Sequence, residues 1–599
     1  MKVWISAIFL GLSLALPVTA QSPEAEPVET AAPAPIDIGI VIRGYEDLIQ
    51  SSSPSALARA EDRAPDRWPD VSMAHIRAQA DEARTLKDML GRVEDQTTPE
   101  WVILSHLLDQ LIMEDDFDTS RIPFTGDWGF HAAPFFEAGN LRLRSADDAE
   151  AWIARLNDLP RYFSDNVRNM RRGLRTGWTA HADPLQTVMD QVREQDVSAP
   201  EDSVLWAPFE TMPDSIDEET QATLRQSGRL AVTKAVKAYE DVLTFFEEEY
   251  ASQARPEPGI ITLPGGQAYY EAAIRNHTAG AGYSPEQIQA LGRSEVARIR
   301  AEMETIIEEL EYPGTFEDFL HFLRTDPQFY AETPLDLMEK AALISKRLDA
   351  ILPEYFGTLP RLTYGVEPVP ADIAPGYTTG RYLGGDPEEG ISGTYLVNTH
   401  ALDQRPLYEL PALSAHEAVP GHHIQIATAQ ELSDVPRFRQ QYYATAFGEG
   451  WGLYAETLAG EAGIYQTPYE RFGALSYQMW RACRLVADTG MHWYRWTREE
   501  AARCFYENSA LSPLNVENEV TRYIGWPGQA TAYKIGQLKI LELRQRAKDQ
   551  LGSAFDIRAF HDQVLGAGSL PLDALEVRID NWIAGQLPPE TNTMDAVTP

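Results

Sequence analysis

The chain has 599 residues, 51 Lys and Arg against 90 Asp and Glu, a formal charge of −39 and only 2 Cys. With 44% hydrophobic and 10% aromatic residues it can fill a large core, which excludes global disorder. The negative charge argues against nucleic acid as a partner and disfavours docking on anionic lipid, because both need clustered Lys and Arg.

Residues 1–20 read as a secretory signal peptide. Lys2 gives a positive start, Ile5 to Leu16 is apolar, and Val18-Thr19-Ala20 is a small-residue cleavage site. No Cys follows the cut, so lipid attachment there is not expected. No later stretch offers about 18 uncharged apolar residues, so no integral membrane association is expected. The chain is thus predicted to be exported, with a bacterial periplasm as its natural home. Residues 21–37, rich in Pro, Ala and Glu, read as a flexible leader, and 591–599 as a tail.

Residues 38–590 are predicted to form a single, mainly α region: a helical part over 38–357, a small sheet over 358–400, and further helices over 401–590. Residues 223–254 place Leu230, Val232, Ala235, Val236, Tyr239, Val242, Leu243 and Phe246 at helical spacing. Ser284-Pro285-Glu286-Gln287 reads as a capping box opening a helix to about Glu311, and Thr333-Pro334 opens another to about Tyr355. Gly393 to Thr399, β-branched and aromatic, is the clearest strand. Helices are expected at 411–432, 437–462, 469–487, 497–508, 514–525, 528–550 and 571–586. Cys483 and Cys504 lie in apolar helical surroundings, either as a disulfide in an oxidising compartment or as two buried thiols.

The chemistry concentrates in Ser414-Ala415-His416-Glu417-Ala418-Val419-Pro420-Gly421-His422-His423. Three histidines with an adjacent Glu form a metal-site pattern. The zinc-peptidase rule is His-Glu-x-x-His on one helix, where the two imidazoles are about 6 Å apart along the axis and reach one ion. Here position 420 is Pro. On an ideal helix His422 lies about 120° round and about 9 Å on from His416, and His423 about 10.5 Å on, too far to share an ion. Pro420 removes a helix hydrogen bond and clashes with the carbonyl of residue 416, and Gly421 tolerates an unusual backbone. A bulge there brings either His422 or His423 to the missing position.

A third ligand is expected downstream, in Phe447-Gly448-Glu449-Gly450-Trp451-Gly452-Leu453-Tyr454-Ala455-Glu456. Glu449 is the candidate. Glu456 lies two turns on along the same face, either as a partner that orients a His ring or as an ordinary solvated charge.

These two motifs, with Gly393 to Thr399, Asp488-Thr489-Gly490-Met491-His492, and Arg522-Tyr523 through Pro527-Gly528-Gln529-Ala530 to Tyr533-Lys534-Ile535-Gly536, resemble the bacterial domain-of-unknown-function family numbered 885. The resemblance covers roughly residues 40–590. It implies a relation to the gluzincin metallopeptidases, whose third ligand is a Glu, and hence a multi-helix body around a deep cleft. The pattern is more distantly similar to carboxypeptidase Taq, thimet oligopeptidase and angiotensin-converting enzyme. There a Gly-His pair closes the motif and the Glu ligand follows downstream, as Glu449 follows Gly421-His422. This favours His422 over His423, with His423 as an alternative ligand or a residue behind the ligands. Peptidase activity with Zn2+ as cofactor is what the resemblance implies.

Two His and one Glu leave a fourth zinc position for water. Glu417 is the expected general base. His492, Tyr523 and Tyr533 are candidate donors to a developing oxyanion. Arg522 and Lys534 are candidates for a substrate's C-terminal carboxylate, which favours a carboxypeptidase- or dipeptidase-like mode, and the strand around Tyr395 for pairing with an extended peptide. Rival readings are a metal-dependent hydrolase of other amides or esters, and a binding or structural protein. His277 and His400 read as loop or packing residues. Trp493, Tyr494 and Trp496 read as core, or as the wall of a pocket.

Overall fold

Local signals at the helix starts operate as the sequence requires. Ser284 and Gln287 close a reciprocal capping box, as do Thr497 with Glu500 and Thr467 with Glu470, so the first N–H groups of three helices have partners. The computed structural model describes residues 34–587 except 127, 372–373, 375–376, 388–389 and 434. The expected signal peptide, most of the leader, and the tail lie outside the described residues.

The protein is mainly α with one small sheet. The elements that bear on the site are α1 (Glu218–Phe245), α2 (Pro285–Glu309), α3 (Pro334–Tyr355), β1 (Tyr364–Pro368), β2 (Gly380–Leu383), β3 (Gly393–Val397), α4 (Leu410–Glu417), α5 (His422–Gln430), α6 (Thr445–Glu461), α7 (Pro468–His492), α8 (Arg498–Asn508), α9 (Pro513–Gly525), α10 (Ala532–Leu551) and α11 (Leu572–Gln586). The apolar stripe of α1 is buried as its period requires, except that Leu230 stands exposed and Leu243 is half-buried. Two expected helices are each broken. Residues 411–432 divide into α4 and α5, and 437–462 into a short helix, Arg437–Gln441, and α6.

β3 is the central strand of the sheet, parallel to β1 and antiparallel to β2, with Tyr382 opposite Tyr395. The expected peptide-pairing edge around Tyr395 is therefore corrected. Both sides of β3 are already paired, and Tyr395 is fully buried with its hydroxyl 3.3 Å from Ser414 Oγ. The strand at the open edge beside the site is β2.

One apolar core gathers around Trp152, Phe163, Tyr239 and Phe246, and a second around Phe356, Tyr395, Trp451 and Tyr454. Within the second, α6 and α10 cross at Gly450 and Gly536. A Cβ on Gly536 would overlap the Ala446 carbonyl, and one on Gly450 would stand 2.5 Å from Gly536 Cα, so only glycines permit this approach. Cys483 and Cys504 are paired and join α7 to α8, with Cα atoms 5.7 Å apart and a sequence separation of 21. Closing a loop of that length contributes about 3 kcal/mol in the chain-entropy account. Among the described residues no helix is long and apolar enough to cross a membrane.

Candidate metal centre

Pro420 does not bulge one helix; it divides it. α4 ends at Glu417, the Val419–Pro420 peptide is cis, and α5 begins at His422. Gly421 passes so close to the His416 carbonyl that a Cβ would overlap it. The indole N–H of Trp451 donates to the Pro420 carbonyl at 2.8 Å and fixes the turn against α6. The reversal brings His422 back beside His416, their rings 4.8 Å apart and nearly perpendicular at 86°.

Glu449 completes the group. Its Oε2 lies 3.4 Å from His416 Nε2 and 3.7 Å from His422 Nε2, and the three donor atoms all lie within 4.8 Å of one another. Ligands 2.0–2.1 Å from a tetrahedral zinc stand about 3.3–3.4 Å apart, so the donors fit that ion in type and the two His–Glu separations come close to its spacing. Burial disfavours a charged His416, but Glu449 and Glu456 outweigh it and push its pKa up to about 10. Burial also opposes ionised Glu449, yet the two imidazoles hold it well below the usual carboxylate range. A carboxylate kept ionised between two imidazoles is the charge pattern a cation completes.

The supporting contacts orient the donors. His416 Nδ1 lies 2.8 Å from Oε1 of Glu456, which is buried, so the Nε2 edge points at Glu449. Gly452 makes room for that ring, since a Cβ there would stand 2.6–2.9 Å from the imidazole. Glu456→Gln is expected to weaken zinc binding by about 10–100-fold, measured by competition with a metal indicator. Glu417 follows His416 at the end of α4, is partly open to solvent, and accepts the Tyr382 backbone N–H at 2.8 Å.

Several expected roles are corrected. His423 is not a ligand: Nδ1 pairs with the Tyr382 hydroxyl at 2.9 Å and Nε2 with the Leu362 carbonyl at 3.1 Å, so it anchors the sheet. Nor is His492 an oxyanion donor. It is fully buried, Nδ1 accepts from Ile260 N–H, Nε2 meets the Tyr523 carbonyl, and burial brings its pKa down to about 3. Tyr523 is buried as well, its hydroxyl donating to Glu519 and accepting from Arg484 Nε at 3.0 Å. Lys534 is 1% exposed, with Nζ 2.9 Å from Glu295 and 2.8 Å from Gln537 Oε1, an internal ion pair rather than a substrate contact.

Tyr533 and Arg522 remain partly exposed. Tyr443 is the residue that motif reasoning missed. It is 44% exposed, yet burial, with Glu449, Tyr533 and Glu417 nearby, raises its hydroxyl well above the usual range. The side chain thus stands close to the candidate donor set while part of it meets solvent. Its hydroxyl rests over Gly448, where a Cβ would collide with it. Nothing in the Tyr442-Tyr443 pair announces this; the only signal is the small residue beside Glu449.

A mainly helical chain carrying two buried histidines and a partly exposed carboxylate as a donor set, beside a second, partly exposed Glu, is the class that fold and site define. The chain belongs to the family described as bacterial protein of unknown function (DUF885), which matches residues 55–579. A candidate lipoprotein of Colwellia psychrerythraea has a similar structure, with a TM-score of 0.85 and 27% identity over 92% of this chain and 100% of that one. A candidate lipoprotein of unknown function from Shewanella oneidensis, at 16% identity, a TM-score of 0.70 and 90% and 99% coverage, shares the fold. Type III pantothenate kinases of Burkholderia cenocepacia (strain HI2424) and Burkholderia orbicola (strain AU 1054) are each 29% identical over 117 residues, 19% of this chain. The chain spans 36% of the length of these curated relatives.

Proposed function

We propose that this protein is an exported zinc-dependent hydrolase of short peptides. The observation that carries the reading is the convergence of His416, His422 and Glu449 with Glu417 alongside. Zinc held by these residues supplies a Lewis acid and lowers the pKa of a water toward about 7.

The chain's own groups do the rest. Glu417, directly after a ligand and open to solvent, takes a proton from water and passes it to the leaving amine. A purely structural site has no use for such a base, which favours catalysis over a binding or architectural role. Tyr443, which has Glu449, Tyr533 and Glu417 as electrostatic neighbours, and Tyr533 beside it are the donors we assign to negative charge on the scissile carbonyl. Outward N–H and C=O groups of β2 can align an extended peptide once the Tyr382 N–H leaves Glu417. Export is supported by the signal-peptide pattern and by the lipoprotein description of the similar structures.

The test is digestion of a diverse peptide library read by mass spectrometry. The expected result is cleavage that stops on adding a chelator and returns with one equivalent of zinc. Cleavage of other amides or esters and of no peptide would move the assignment to a different hydrolase. No zinc binding at all would defeat both.

A further inference from the structure

Arg484 on α7 and Arg522 on α9 share one carboxylate, Glu519. Arg484 Nη2 lies 3.1 Å from Glu519 Oε2, and Arg522 Nε lies 3.7 Å from the same oxygen. Burial opposes the charge on Glu519, but the two guanidiniums outweigh it and bring its pKa down to about 2. Arg522 also feels Asp488, but burial raises that carboxyl to about 7, so Glu519 is the one carboxylate held firmly ionised between the two guanidiniums.

The hydrogen bonding is equally incomplete. Arg484 spends Nε on the Tyr523 hydroxyl and Nη2 on Glu519, while Nη1 is buried without a partner. Arg522 spends Nη1 on Gln529 Oε1 at 3.2 Å, while Nε and Nη2 are buried without one. Orphaned Nε atoms recur on other arginines of the chain. Among the described residues, the buried terminal guanidinium nitrogens left unpaired are these two. Buried charged donors without acceptors are costly, and they mark a place built for a missing anion.

The cluster also adjoins residues that neighbour the candidate metal centre. The Arg484 guanidinium lies 4.3 Å over the Tyr533 ring, and Tyr533 faces Tyr443, whose hydroxyl feels Glu449 and Glu417.

We propose that Arg484 and Arg522 form the receptor for a peptide's C-terminal carboxylate, which would make the enzyme a carboxypeptidase or dipeptidase. The planar forks match a carboxylate in bidentate fashion, and one such group neutralises the surplus charge. This rests on the peptide-hydrolase reading for its biology but is testable by binding alone.

The experiment is calorimetry on the full zinc-loaded chain carrying Glu417→Gln. The probes are N-acetyl-Ala-Ala-Phe as free acid, the same peptide as C-terminal amide, and N-acetyl-Ala-Ala-Glu amide. The free acid should bind about 30-fold or more tightly than either amide, as expected for lost charged hydrogen bonds. Arg522→Gln should bring the free acid toward its amide, with Arg522→Lys in between. The acid-to-amide ratio in the parent needs no arginine variant, so a misfolded Arg522→Gln leaves the test intact. Equal affinities, or no binding of any probe, would overturn the proposal. A Glu amide as tight as the free acid would also overturn it, by assigning the site to acidic side chains. A 30-fold preference without hydrolysis by the wild-type chain would leave this site standing and sink the peptidase reading instead.

Discussion

Replacing Glu417 by Gln is expected to leave one zinc per chain and to lower kcat on cleaved peptides by about 10²–10⁴-fold. The amide keeps the shape of the side chain and an oxygen to accept the Tyr382 N–H, so the end of α4 need not move. Zinc content should hold because His416, His422 and Glu449 are untouched. What is lost is a group able to accept and return a proton. Metal analysis beside steady-state kinetics checks both halves. A variant that keeps full activity would remove Glu417 from the chemistry, whatever its position.

The second large effect is expected far from any proton transfer. Gly536→Ala should destabilise the fold by about 3 kcal/mol and weaken zinc binding with it, read from denaturant unfolding and metal competition. The added methyl meets the Ala446 carbonyl, which belongs to helix backbone and cannot rotate aside. α6 and α10 must part, and they carry Glu449 and Tyr533 respectively. An exposed control such as Gly585→Ala, on α11, where a Cβ meets nothing within 4 Å, should be nearly neutral.

Much of this architecture is legible in the residues because it rests on local rules. The capping boxes at Ser284 and Thr497 and the β-branched run at 393–397 need only neighbours in sequence. The candidate metal-binding group is legible in kind, since histidines flanking Glu417 and a Glu between two glycines together form a metal-site pattern. Its arrangement is not. Whether Pro420 bulges a helix or divides it depends on the Trp451 contact, which comes from another helix. The same limit applies to Lys534, His492 and Tyr523. Their residue types suit substrate binding, but their partners, Glu295, Ile260 and Glu519, are set by packing of distant segments. Tyr443 and Arg484 are hidden for the converse reason: no motif marks a side chain whose value lies only in what it faces.

The division of the histidine segment into α4 and α5 has a consequence for stability. With the donors on three separate pieces of backbone, an ion gripping all of them is a cross-link as well as a reagent. Free zinc at about a thousand times its dissociation constant adds about 4 kcal/mol against unfolding by mass action. Starvation for the ion would then do more than switch off turnover. It would loosen the joint where three helices meet.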